Sequence, residues 1–224
     1  MTERQHPRDG GSTQPVTGRT RDLVIGADKV IFKLATHWLA LMNLFWGLYV
    51  GLPFLAPIFM NAGYELPAKA IYTLYRPACH QRPERSYFIG GPDFVYSPEE
   101  LASAGVDLDP FARDIGNENV GWIVAFCERD VAIYGAIFLT GLGYGLVRKR
   151  LKGWRMPFRY FIPFLVPMAI DGVLQLFGFY ESTWMMRSIT GAVFGVGAVL
   201  FAYPYVEEGF ADVRQTINSK LRLE

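Results

Sequence analysis

Two short polar blocks hold most of the side chains able to do chemistry, and each lies beside an apolar run of membrane length. The first is Cys79-His80-Gln81-Arg82-Pro83-Glu84-Arg85-Ser86. The second, Cys127-Glu128-Arg129-Asp130, opens directly into the apolar run 131–147. Both cysteines of the chain fall in these blocks. Thiolate, imidazole and carboxylate groups together offer the sulfur, nitrogen and oxygen donors that zinc accepts. Cys79, His80, Cys127 and Asp130 are therefore the candidate metal ligands. The cysteines allow two other readings as well. One is a disulfide joining the blocks, which an oxidising compartment permits; the other is a reduced, packed pair. Arg82, Glu84, Arg85, Glu128 and Arg129 read as an ion-pair network. Alternatively the arginines bind a phosphate or lipid head group, because the guanidinium fork matches phosphate oxygens.

A third polar signal is Asp171, inside the apolar run 158–178. An aspartate at the centre of a membrane helix costs about 2.5–3.5 kcal/mol on insertion scales, so it is expected to face the bundle interior with a partner. Arg129 and Arg187 are the expected partners. Gln175 lies four residues on, on the same helix face. In a catalytic reading Asp171 acts as acid or base and Gln175 orients it or a substrate. Arg129 and Arg187 would then bind an anionic group.

These residues need elements to hold them. A membrane span takes about 20 mostly apolar residues, and four runs qualify: 38–60, 131–147, 158–178 and 186–205. The apolar stretch 120–126 reads as an earlier start of the second span. Lys and Arg near span ends set the orientation. The loop 148–155 carries five Lys and Arg and no acid, which places it in the cytoplasm. Residues 1–37 carry six and belong on the same side. The connection 61–130 holds six Lys and Arg against eleven Asp and Glu, a net charge of 6 − 11 = −5, and falls outside. The expected localisation is thus the cell membrane, multi-pass, with both termini cytoplasmic. The whole chain has 22 basic and 21 acidic residues, and no basic block with interleaved aromatics, so nucleic acid is not an expected partner.

The expected fold class is an all-α membrane protein: a bundle of four transmembrane helices with an ordered extracytoplasmic cap between spans one and two. Residues 1–28 read as a disordered cytoplasmic tail, 29–205 as the membrane domain with its cap at 61–130, and 206–224 as a cytoplasmic C-terminal tail. Within the cap, 66–75 reads as a short helix. A second begins after Ser97, where an N-cap residue, a proline and two acids follow one another. Gly47 and Gly51, Gly141 and Gly145, and Gly191 and Gly195 have the spacing that lets membrane helices approach closely.

The motifs resemble a family. CHQRPERSYF at 79–88, C-x-R-D-x-x-I-Y-G at 127–135 and D-G-x-x-Q-x-x-G at 171–178 are followed by E-S-T at 181–183, Arg187 and Thr190-Gly191. Together these resemble domain-of-unknown-function family 2085, predicted polytopic membrane proteins of bacteria and archaea. Many of its members carry a second cysteine where this chain has Asp130. The resemblance implies a membrane protein and implies no activity. The leading functional expectation is a metal-dependent hydrolase or transferase, with zinc as the candidate cofactor, acting on a lipid or anionic head group at the outer face of the bilayer. The rivals are a non-catalytic structural or binding protein with a disulfide-locked cap, and a small oligomeric transporter using Asp171 as proton carrier.

Overall fold

The computed structural model describes residues 18–109 and 111–221. In chain order the elements are α1 (Arg19–Asn61), α2 (Glu65–Tyr75), β1 (Ser86–Gly90), α3 (Pro98–Ser103), β2 (Gly116–Asn117), β3 (Gly121–Cys127), α4 (Glu128–Val147), α5 (Phe158–Leu176) and α6 (Trp184–Leu221). Helices α1, α4, α5 and α6 are long and apolar enough to cross a membrane. The expected N-terminal tail falls outside the described residues as far as residue 17. From Arg19 onward it forms the first part of α1. The expected C-terminal tail is likewise helical, because α6 continues to Leu221.

The described residues divide into two compact units, one of residues 18–37 with 210–221 and one of Trp38–Gly209. In the first, Arg214 Nη1 donates to the Ala35 carbonyl at 2.6 Å. The second holds the cap and every candidate site residue.

The all-α expectation needs correction. The segment 61–130 contains a three-stranded antiparallel sheet in the order β1-β3-β2. Residues 121–127 form its central strand rather than an extension of the second span. Ile123, Val124, Ala125 and Phe126 are all fully buried, so the strand is covered on both faces. Such a strand reads as a continuous apolar run, and a short run of that kind cannot be told from a helix segment by periodicity. Gly121 (φ +80°) turns the chain into the strand, and a Cβ there would lie 2.5 Å from the Gly91 nitrogen.

The rest of the cap packs on this strand. Ala68, Tyr72 and Tyr75 form the buried face of α2. Tyr72 donates its hydroxyl to the Ile123 carbonyl at 2.6 Å, and Tyr75 donates to the Tyr49 carbonyl of α1 at 2.9 Å. Helix α3 starts with a capping box between Ser97 and Glu100. That arrangement satisfies two backbone N–H groups at once.

The helices close on each other through glycine, though unequally. A Cβ on Gly191 would lie 3.0 Å from the Arg129 carbonyl oxygen, and one on Gly195 would lie 2.5 Å from that of Ile133. Helices α4 and α6 therefore meet backbone to backbone. Gly47 abuts Phe138 and Gly141 abuts Asn43, whereas Gly51 has open space beside it. Helix α5 is the least enclosed of the four spans, and its one buried residue is Asp171.

Candidate functional site

Strand β3 passes into α4 without a loop. Cys127 ends the strand and, in extended conformation, is the N-cap residue of the helix. Glu128, Arg129 and Asp130 thus occupy the first turn of α4, at the edge of the cap. Cys79 reaches this point from the end of α2, where its backbone N–H bonds the Tyr75 carbonyl. Cys79 Sγ accepts the Cys127 backbone N–H at 3.1 Å, and Cys127 Sγ donates to Asp130 Oδ2 at 3.1 Å. Both cysteines are free thiols. Donor atoms of Cys79, Cys127 and Asp130 all lie within 4.8 Å of one another. His80 is exposed and stands outside this donor group, although it lines a cavity together with Cys79, Cys127 and Asp130.

Gln81 holds the Cys79 loop in place. It adopts φ +52°, a left-handed conformation, and is 6% exposed. Its Nε2 donates to the Tyr72 carbonyl at 2.8 Å and the Ala125 carbonyl at 3.2 Å. Such a conformation costs a non-glycine residue on the order of 1–3 kcal/mol and persists only where surroundings enforce it. Gln81 was not legible as a site residue. A polar side chain next to Cys-His was its only sequence signal.

Interaction with the adjacent Cys127 side chain holds the Cys79 thiol below its ordinary value, against burial, and the Gln81 backbone contributes in the same direction. The same interaction pushes the Cys127 thiol up, and burial adds to it.

Beside the thiols is a cavity of about 290 Å³ lined by Arg82, Arg85, Arg129 and Arg187, with Asp130 and Gln175. Three of these guanidinium groups have carboxylate partners. Arg129 Nη2 donates to Asp171 Oδ2 at 2.5 Å and to Gln175 Oε1 at 3.3 Å. Arg187 Nε donates to Glu128 Oε2 at 2.6 Å, and its Nη1 donates to the Ser182 carbonyl. Arg82 pairs with Glu84. Arg85 has no ion-pair partner among the described residues. Burial, together with the neighbouring charges of Arg82 and Arg187, presses its pKa down, against the opposing charges of Glu84 and Glu181. Arg82 Nε, Arg129 Nε and Gln175 Nε2 are buried donors with no acceptor. Glu84 Oε2 and Glu128 Oε1, on the carboxylates paired with Arg82 and Arg187, are buried acceptors with no donor among the described residues. A buried unpartnered N–H costs about 1–3 kcal/mol, so the three unpartnered donors, which belong to residues lining this cavity, suit an anion.

Asp171 is 2% exposed and accepts from Tyr180 as well as Arg129. It lines neither this cavity nor the larger one next to it. Arg187, an alternative partner expected for Asp171, is engaged with Glu128 instead.

Residues 119–201 match domain-of-unknown-function family 2085, described as a predicted membrane protein. The resemblance carried by the motifs is a family match over β3, α4, α5 and much of α6. The family 2085 segment includes Cys127, Asp130, Asp171, Gln175 and Arg187, whereas Cys79 to Arg85 lie before it. An uncharacterised protein of Methanocaldococcus jannaschii is 29% identical over 157 residues, which is 67% of this chain and 81% of the relative. No solved structure matches the chain.

Proposed function

We propose that this chain is a multi-pass membrane protein, with both termini cytoplasmic, that binds a phosphate-bearing lipid head group beside a zinc ion and acts as a hydrolase or transferase upon it. The observation that carries the reading is Arg85, a half-buried guanidinium without an ion-pair partner among the described residues, set with Arg82 and Arg187 on the wall of one cavity. Like charges gathered this way are unfavourable unless an anion joins them. The orientation rests on the basic loop 148–155 and the acidic connection 61–130.

Two sulfurs and one carboxylate oxygen fit zinc, and three protein ligands leave a coordination position open, as catalytic zinc sites require. Cys79, Cys127 and Asp130 would hold the ion. Bound there, zinc would supply a Lewis acid and lower the pKa of a coordinated water. Arg85 binds the phosphate oxygens in this reading, and Arg187 and Arg82 add positive charge at the same wall. Asp171 is a positioning residue, because its carboxylate is occupied by Arg129 and Tyr180. Gln175 steadies the same guanidinium from the next turn of α5.

Elemental analysis and a free-thiol count on detergent-purified protein test this. Stoichiometric zinc is expected in the native protein, with loss in Cys127→Ser and in Asp130→Ala. Two titratable thiols are expected after denaturation in chelator. Protein without metal and without free thiols would overturn the zinc reading in favour of a disulfide that locks the cap. Arg85→Gln is expected to retain zinc and to lose binding of short-chain phospholipid.

A further inference from the structure

The phosphate-binding cavity opens beside a second and larger one, of about 690 Å³, which shares Arg82, Arg85, Gln175 and Arg187 with it. The lining of the larger cavity carries both signs of charge. Besides the three arginines it is lined by three carboxylates, Glu84, Asp93 and Glu181. Internal pairing removes part of this charge. Arg82 is paired with Glu84, and Arg187 with Glu128. One guanidinium, Arg85, and two carboxylates, Asp93 and Glu181, remain without ion-pair partners among the described residues. Phe94, Tyr96 and Trp184 line the same cavity, with the Phe94 and Trp184 rings edge to face at 5.5 Å between centroids.

An anion alone would satisfy Arg85 and would be repelled by Asp93 and Glu181. A cation alone would meet the reverse problem. A molecule with both charges a short distance apart matches what is left over. Carboxylates and aromatic faces are the usual partners of an ammonium group, and guanidinium is the usual partner of phosphate.

We propose that the larger cavity is the head-group site for a phosphate ester that also carries an ammonium group. Its phosphate reaches Arg85, and its ammonium lies against Asp93, Glu181 and the aromatic wall. The proposal rests on the phosphate reading above and narrows the substrate from any phosphate-bearing head group to a zwitterionic one. A plain arginine patch would prefer the lipid of greater net negative charge, so the two predict opposite orders.

The test is calorimetric titration of the full chain in detergent with dihexanoyl phosphatidylethanolamine and dihexanoyl phosphatidylglycerol, and with soluble phosphoethanolamine and glycerol phosphate. The ethanolamine lipid is expected to bind about tenfold tighter than the glycerol lipid, the scale that cation–π and ion contacts provide. Asp93→Asn combined with Glu181→Gln is expected to abolish or reverse this order. Both residues are exposed and neither is in an ion pair among the described residues, so the fold does not depend on them. Preference confined to the lipids assigns a membrane source, and the same preference among the soluble pair assigns a free phosphoester; each supports the zwitterion. Equal binding of both lipids, or preference for glycerol, overturns the zwitterion site and leaves the phosphate reading standing. Binding of neither lipid and neither soluble ester overturns both.

Discussion

Glu128 and Arg129 are neighbours in sequence and belong to different helix interfaces. Successive residues on a helix point about 100° apart, so the first side chain meets α6 and the second meets α5. Glu128 is fully buried and pairs with Arg187, whereas Arg129 pairs with Asp171. Breaking a buried pair by removing one charge leaves the other stranded, which costs about 3–5 kcal/mol. Glu128→Gln should therefore lower the melting temperature of the purified protein sharply, and adding Arg187→Met should recover much of the loss. A single variant as stable as the native protein would remove this pair from the structural account. The inward position of Asp171 was legible in the sequence, because a carboxylate in an apolar helix has to find a partner. The choice between Arg129 and Arg187 was not, because it depends on the register of α4 against its two neighbours. Gln81 was illegible for a different reason: its role comes from a strained backbone and two long-range carbonyl partners, and nothing local announces either.

At the scale of elements, hydropathy located the four long helices, and capping chemistry located α3. It failed at 121–127, where a strand buried on both faces continues without a break into an apolar helix. That junction is also what builds the site. Because the strand is anchored in the sheet, Cys127 is held at the helix start, and Cys79 can meet it. The glycine spacing was only partly informative. Three pairs have the same pattern, and Gly191 and Gly195 are the pair in which both residues meet the backbone of a facing helix. A Cβ on Gly195 would meet the Ile133 carbonyl oxygen at 2.5 Å and the Ala136 Cβ at 2.9 Å, so α4 and α6 would have to separate. Gly195→Ala should destabilise by about 1–3 kcal/mol, as overpacking does. Gly51→Ala, with nothing within 4 Å, should be neutral or slightly stabilising. Thermal unfolding of the two variants in the same detergent compares them directly, and equal destabilisation would contradict the seam.

At the scale of the whole molecule, the proposed chemistry depends on which compartment holds the thiols. An oxidising compartment favours a disulfide between two cysteines this close, and a bound metal ion would keep them apart by occupying both sulfurs. Orientation is thus part of the mechanism as well as of the topology. Positive charge near span ends marks the cytoplasmic side, and the loop 148–155 has five basic residues and no acid. The connection 61–130 carries the opposite sign, −5 from six basic and eleven acidic residues. Cysteines placed at Glu99 in the cap and Lys152 in the basic loop report the two sides, since both positions are exposed. In intact cells an impermeant thiol reagent should label Glu99→Cys above the level of the native protein, and Lys152→Cys should label only after the membrane is opened. The reverse pattern would put Cys79 and Cys127 in the reducing cytoplasm. There a disulfide would have no support, the zinc reading would survive, and the head group reached by Arg85 would have to come from the inner leaflet.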